Sequence, residues 1–227
     1  NWKEQNSIDS ITNILQADHL YVTNGFEILD LNDKTNRLGK SSGLHSASIK
    51  QIAWNASNQS IVVVYNNNQI DIINGDQINA LNDIYNTTQF NNKNINNVYV
   101  DNSNLLVATD FGIVAYNTSK LQVIDTWFPN SQRNQEKTYA SIIKNDTLFA
   151  LTENGLKSCP LSNHLPNNQW KLVAGYNSCT NMTVSGNEIW LSNNKNVYRY
   201  PNTKESFVVT NGEIIKIKNS NNHLYAI

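Results

Sequence analysis

The sequence repeats itself about every forty residues, and a repeat of that period constrains the architecture before any single residue is interpreted. Its clearest part is an apolar run followed by a polar turn: His19-Leu20-Tyr21-Val22 before Asn24-Gly25, Ser60-Ile61-Val62-Val63-Val64 before Asn67-Asn68, and Leu105-Leu106-Val107-Ala108 before Phe111-Gly112. Leu148-Phe149-Ala150-Leu151 before Asn154-Gly155 and Ile189-Trp190-Leu191 before Lys195-Asn196 continue the series, and a sixth copy starts at His223-Leu224-Tyr225-Ala226-Ile227. A strand precedes each run, marked by Ile8 with Ile11, Ile49 with Ile52, Ile95 with Val98, Ala140 with Ile143, Met182 with Val184, and Ile214 with Ile217. A third run follows each turn, as in Gln69-Ile70-Asp71-Ile72-Ile73, and a weaker fourth closes the unit, as in Leu121-Gln122-Val123-Ile124 and Trp170-Lys171-Leu172-Val173.

Four short runs per unit, rich in β-branched and aromatic residues and alternating at period two, predict antiparallel meanders. The Asn-Gly pairs predict tight type I′ hairpins between second and third strands, because that turn needs positive φ at both central residues. Ile8-Ile11-Ile14-Leu15 has helical spacing but falls where the repeat demands a first strand, so it reads as strand. A four-stranded meander of this period is a propeller blade. The expected fold is therefore an all-β propeller forming one domain over residues 1–227. About five and a half blades are visible of an expected seven, with on the order of sixty to eighty residues beyond Ile227 needed to close the ring.

Composition narrows the function classes. Only 15% of residues are charged while 39% are hydrophobic, and Asn supplies between a sixth and a fifth of the chain, so the surface is one of amides. A formal net charge of -1 gives no electrostatic footprint for nucleic acid or an anionic membrane surface. No apolar run approaches the eighteen or so residues of a transmembrane helix. The chain opens on Asn1-Trp2-Lys3-Glu4 without an initiator Met or a signal-peptide pattern, as expected of a trimmed product.

Catalytic signals are sparse. His19 and His223 occupy the same repeat position, which favours a structural role, and His45 and His164 lie in loops without neighbours at metal-ligand spacing. There is no Gly-x-Ser-x-Gly elbow, phosphate loop or dinucleotide fingerprint, so no cofactor or metal is expected. Asp71, Asp110, Asp125 and Glu153 are scattered one to a blade and read as solvated turn and edge residues, although Asp110 and Glu153 hold equivalent turns. Binding residues concentrate on loops of a rigid scaffold, which points to Asn24, Asn67, Asp110, Phe111, Glu153 and Lys195 as one rim of candidate contacts. Trp127, with Trp54 and Tyr65, lies near strand ends and is freer to face a ligand than the aromatics within strands.

Gly43-Leu44-His45-Ser46-Ala47-Ser48-Ile49 followed by Ile61–Ile73, then Asn94–Val100, Ala108–Tyr116 and Val123–Phe128, resembles the early blades of PorZ-type proteins of the Bacteroidetes type IX secretion machinery. The resemblance covers roughly a third of the chain. It implies a non-enzymatic recognition or scaffold propeller at the cell surface or in the periplasm, associated with the outer membrane. The implied partners are outer-membrane secretion or attachment proteins and lipopolysaccharide glycan. In such an oxidising setting Cys159 and Cys179, the only two cysteines, form either a disulfide between adjacent blades or two separate buried thiols. The alternative reading is the periplasmic oligosaccharide-sensing propeller of a hybrid two-component regulator, which uses the same repeat type. An enzyme would require convergent acidic or His residues that the repeat does not reveal.

Overall fold

The computed structural model describes residues 10–33, 36–130, 132, 134–162, 165–166, 169–201, 206–208, 212–220 and 223–226. They form an all-β propeller of four-stranded antiparallel blades, five of them among the described residues. Blade 1 comprises β1 (Asn13–Gln16), β2 (Leu20–Thr23), β3 (Ile28–Asp30) and β4 (Arg37–Leu38); blade 2 comprises β5 (Ile49–Asn55), β6 (Ser60–Tyr65), β7 (Ile70–Asn74) and β8 (Gln77–Leu81). Blade 3 comprises β9 (Ile95–Asp101), β10 (Asn104–Thr109), β11 (Gly112–Asn117) and β12 (Gln122–Trp127). In blade 4, β13 (Thr138–Lys144), β14 (Thr147–Thr152) and β15 (Gly155–Ser162) are followed by a short extra strand, β16 (Leu165–Pro166), and then by β17 (Lys171–Ala174), which pairs with β15. Blade 5 comprises β18 (Asn181–Ser185), β19 (Glu188–Ser192), β20 (Asn196–Tyr200) and β21 (Ser206–Val208), and β22 (Ile217–Ser220) pairs with β23 (His223–Ala226) in a two-stranded sheet.

The chain divides into two compact units. One is Asn1–Ile95, Val100–Asn104 and Asn117–Gln122, and the other is Asn96–Tyr99, Leu105–Tyr116 and Val123–Ile227. In the first unit, Ile28 of blade 1 joins Ile49, Ile52, Ile61, Val63 and Ile73 of blade 2 in one apolar cluster. In the second, blades 3 and 4 share a cluster containing Leu106, Ile113, Trp127, Leu148 and Cys159. Blades 4 and 5 share another, with Ile142, Leu151, Leu156, Cys179, Met182 and Leu191. Within each unit, neighbouring blades thus pack face to face, as in a propeller.

That packing corrects the expected period-two alternation in the second strands. All six residues of β6 are buried, as are the last five of β10, because both faces of the sheet are covered. The outer strand β12 reads the opposite way, with its first four residues exposed. The first strand of blade 1 begins at Asn13, so Ile14 and Leu15 are strand while Ile11 precedes it, half exposed; Ile8 lies outside the described residues.

The hairpin expectation is corrected as well. Type I′ geometry lies between first and second strands of blade 4, where Asn145 (φ 47) and Asp146 (φ 53) both take positive φ. Between second and third strands, Thr152 faces Gly155 across Glu153-Asn154, so the glycine sits at the strand start rather than in the turn centre. A Cβ at Gly155 would lie 2.7 Å from the Ala174 carbonyl oxygen, and one at Gly112 would lie 2.5 Å from that of Trp127. These glycines let the fourth strand close on the third.

Cys159 and Cys179 are buried thiols in different clusters and are not joined to each other, so the structure holds the two-thiol arrangement and not a disulfide. Burial pushes the Cys179 thiol up to about 12, which keeps it protonated and unreactive.

Two outcomes follow for stability measurements. Gly112→Ala and Gly155→Ala are each expected to cost about 2–4 kcal/mol in urea denaturation, combining positive-φ strain with a backbone clash. Gly186→Ala, at φ 58 with nothing within 4 Å, should cost only about 1–2 kcal/mol. Thiol titration without reductant should find both cysteines after unfolding and neither reacting quickly in the native protein; absence of free thiol in the unfolded chain would establish a disulfide.

Candidate functional site

The most developed polar site is built on blade 4. Glu136 lies in the connection leading into β13 and is 5% exposed. Lys157, the third residue of β15, places its Nζ 2.6 Å from both carboxylate oxygens of Glu136. Asn154 Nδ2 donates to Glu136 Oε1 at 3.1 Å, and Asn130 Nδ2 donates to Oε2 at 3.4 Å. Burial raises the Glu136 pKa, but Lys157, Thr152 and Asn154 outweigh it, and the carboxyl is held below its ordinary value. The pair forms one side of an open cleft of about 460 Å³, lined also by Gln132, Asn134, Gln135, Glu153 and Leu172. Asn130 shapes the rim, its Oδ1 accepting the backbone N–H groups of Gln132 and Asn134.

A carboxyl held below its ordinary pKa is poorly suited to general acid catalysis, which needs a pKa raised toward the working pH. The cleft instead offers amide donors and acceptors around an internally neutralised ion pair. Leu172, 61% exposed, adds an apolar surface.

Asp110 and Glu153, predicted to share a face, are brought together through Lys137. Lys137 Nζ lies 3.4 Å from Asp110 Oδ1, and its backbone N–H donates to Glu153 Oε1 at 3.2 Å. Asn96 Nδ2 also donates to Asp110 Oδ1. Three of the other predicted contacts serve the turns: Asn24 Oδ1 accepts from the Phe26 and Glu27 backbone, Asn67 Oδ1 from Gln69, and the Lys195 backbone donates to Asn193 Oδ1. Lys195 Nζ in addition donates to the Gly212 carbonyl. Phe111 and Trp127 are core residues, 1% and 4% exposed, which corrects the expectation that Trp127 faces a ligand; its indole Nε1 donates to Asp125 instead. Tyr65 is likewise buried, and His164 lies outside the described residues.

Asp71 corrects the reading of a solvated edge carboxylate. It is fully buried and accepts from His45 N at 3.0 Å, His45 Nδ1 at 2.8 Å and the Tyr65 hydroxyl at 2.5 Å. Burial and the carboxylate push the Tyr65 phenol pKa upward. The His45 imidazole is 42% exposed, so a buried anion anchors one ring edge while the other faces outward. In blade 1, His19 Nδ1 lies 2.5 Å from Asp30 Oδ2, a contact that raises the imidazole pKa. Among the described residues no three His, Cys, Asp or Glu side chains gather as metal ligands.

Glu136–Lys157 and His45–Asp71 escaped the sequence reading, yet a signal was present. Asp71 and Lys157 are the charged residues of their third strands and stand at the same place, the third residue after the turn, where they lie opposite Val63 and Ala150. A charge inside a strand covered on both faces needs a partner.

Fold and cleft together define an all-β propeller whose fourth blade carries an open polar cleft beside a buried ion pair. The family follows from comparison: the model of the N-terminal β-propeller domain of PorZ, of the type IX secretion system, matches residues 10–171, and the chain belongs to that family. PorZ of Porphyromonas gingivalis, described as an essential bacterial surface component of the type-IX secretion system, is similar in structure, with a TM-score of 0.73 at 18% identity. That match covers 89% of this chain and 28% of PorZ, so the chain spans under a third of that protein's length. The extracellular domain assigned to a hybrid two component system of B. thetaiotaomicron matches with a TM-score of 0.66 at 14% identity, covering 100% of this chain and 32% of that one. The WD40 propeller of Doa1 matches with 0.67 at 10% identity over 95% of this chain and 75% of that one. At these identities the solved structures share the fold alone. No curated protein matches the chain.

Removing the ammonium by Lys157→Met leaves a buried carboxylate unpaired and is expected to cost on the order of 3 kcal/mol, part of it recovered by adding Glu136→Gln. Because the folded pKa of Glu136 is depressed, the pair's contribution is complete above the ordinary value of 4.5 and is lost as pH falls through the folded value. Urea denaturation at neutral and acidic pH should therefore show wild type and Lys157→Met converging in acid.

Proposed function

We propose that the chain is a non-enzymatic recognition and scaffold propeller of a type IX secretion attachment complex, working at the cell surface in association with the outer membrane. Family membership over residues 10–171 is the observation that carries this reading. On this reading residues 1–227 belong to one propeller domain. The blade 4 cleft, with Glu153, Asn154 and Leu172 on its wall, is the contact surface for an outer-membrane secretion protein or a surface glycan. Asp110 and, farther along, Lys195 extend the same set of polar turns. The Glu136 carboxyl, held below its ordinary pKa by Lys157, supports binding rather than acid–base chemistry. No helix among the described residues is long and apolar enough to cross a membrane.

Affinity isolation of the tagged full-length protein from its own bacterium, followed by mass spectrometry, tests the proposal. Recovery with an outer-membrane barrel protein and a sortase-like peptidase is expected, reduced by Glu153→Ala combined with Asn154→Ala. Kinase sequence within the same polypeptide would instead make the propeller a sensor.

A further inference from the structure

The chain holds four Asn-Gly pairs, at Asn24-Gly25, Asn74-Gly75, Asn154-Gly155 and Asn211-Gly212; Asn211 lies outside the described residues. Asparagine is a thermolabile residue. The backbone nitrogen of the residue that follows it attacks the side-chain amide carbon, and a glycine there, with no Cβ and a permissive backbone, leaves that approach open. The pairs share this chemistry and differ in whether the fold permits the attack.

At two pairs the reacting groups are held. Asn24 Oδ1 accepts the backbone N–H groups of Phe26 at 2.9 Å and Glu27 at 3.0 Å, and the Gly25 N–H donates to Thr23 Oγ1 at 3.0 Å. Asn154 Nδ2 donates to Glu136 Oε1, and Gly155 is buried opposite Thr152 at the start of β15. With the Ala174 carbonyl oxygen 2.7 Å from where a Gly155 Cβ would lie, that backbone has no room to turn. Asn74-Gly75 is open. Residues Asn74 to Gln77 are all exposed, and Gly75, at φ 55, takes the first central position of the two-residue hairpin joining β7 to β8. Nothing lies within 4 Å of the position a Gly75 Cβ would occupy. The Asn74 side chain is tied by Nδ2 donating to the Asn58 carbonyl oxygen in the β5–β6 turn, at 3.0 Å. That bond engages the nitrogen that leaves and not the carbon under attack.

We propose that Asn74 is a site of spontaneous deamidation in the native protein, passing through a cyclic imide to aspartate and isoaspartate. The Gly75 nitrogen gives its proton to solvent hydroxide and bonds to Asn74 Cγ, while the Cγ–Nδ2 bond breaks and Nδ2 departs as ammonia. Water then opens the imide. Attack at Cγ leaves aspartate, and attack at the Asn74 main-chain carbonyl carbon leaves isoaspartate, whose backbone runs through the side chain. Either product adds one negative charge and removes the donor that ties the β7–β8 turn to the β5–β6 turn. Isoaspartate also inserts a carbon into the backbone at the last ladder pair of the hairpin, where Asn74 faces Gln77. The strand it ends is the one that carries Asp71, the anchor of His45. The site is separate from the cleft and does not depend on the secretion reading.

Incubation of the full chain at mildly alkaline pH, once folded and once unfolded in urea, tests the assignment, with peptide mapping by mass spectrometry and isoaspartyl methyltransferase labelling as readouts. In urea Asn24, Asn74 and Asn154 are expected to convert at similar rates, since each precedes a glycine. In the folded protein Asn74 should convert at least about tenfold faster than Asn24 and Asn154, because one or two further hydrogen bonds must break before attack at those pairs. The label should map to the peptide that contains Asn74. Gly75→Ala, which keeps the asparagine and obstructs the attacking nitrogen, should slow conversion at Asn74 in both conditions. Conversion of Asn24 or Asn154 as fast as Asn74 in the folded protein would overturn the proposal. So would a folded Asn74 as slow as those two, or an unchanged rate in Gly75→Ala. Because the comparison among the three pairs uses wild-type protein, the test stands even if the variant fails to fold.

Discussion

The constraint on which this molecule depends is that its second strands are apolar on both faces. A sheet whose middle strand reads Ser60-Ile61-Val62-Val63-Val64-Tyr65 with every residue buried cannot lie on a surface with one face in water. It must be covered twice, and the clusters joining blades 1 and 2, 3 and 4, and 4 and 5 show how the cover is provided. The fourth strands, remote from that requirement, are free to expose Val123, Ile124, Leu172 and Phe207. Side chains such as these single exposed apolars are normal at a sheet edge.

Once a strand is enclosed in this way, any polar group within it must be satisfied inside the protein. The third residue after the second turn shows the consequence in three of the blades. In blade 2 it is Asp71, held by His45; in blade 4 it is Lys157, held by Glu136; in blade 5 it is Tyr198, whose ring packs 5.4 Å from that of Tyr176. In all three the partner comes from the connection entering the same blade. The position works as a tie between strand and connection, and its chemistry is exchangeable while its geometry is kept. An acid with a base, a base with an acid, and two aromatic rings all fasten the connecting loop, which is where a propeller presents its contacts. A buried ion pair adds little net stability over an apolar pair, so the charged versions serve better to place a loop than to strengthen the fold.

Repeat and strand order were legible because apolar runs recur at a fixed spacing, and every second strand from Leu20–Thr23 to His223–Ala226 falls on a run that the sequence displays. Turn chemistry was less legible. Asn154-Gly155 has the composition of a type I′ hairpin, but Asn145-Asp146, one hairpin earlier, is the pair with that geometry. Composition alone does not reveal which residues stand opposite each other across a turn. The candidate site was legible only in outline. Asp110 and Glu153 could be placed in equivalent turns from the repeat, whereas Lys137, which joins them, lies in a connection outside the repeated pattern. Trp127 misled because nearness to a strand end says nothing of which cluster the side chain enters.

Blade 4 carries both the cleft and a smaller cavity, at the two ends of one strand. β13 runs from Thr138, beside the Glu136–Lys157 pair, to Lys144 in the cavity wall. Seven extended residues separate the two by about 20 Å, beyond direct contact and beyond a Debye length at physiological salt. In the cleft the ion pair is closed internally. With a formal net charge of -1 on the whole chain, long-range steering contributes little to either.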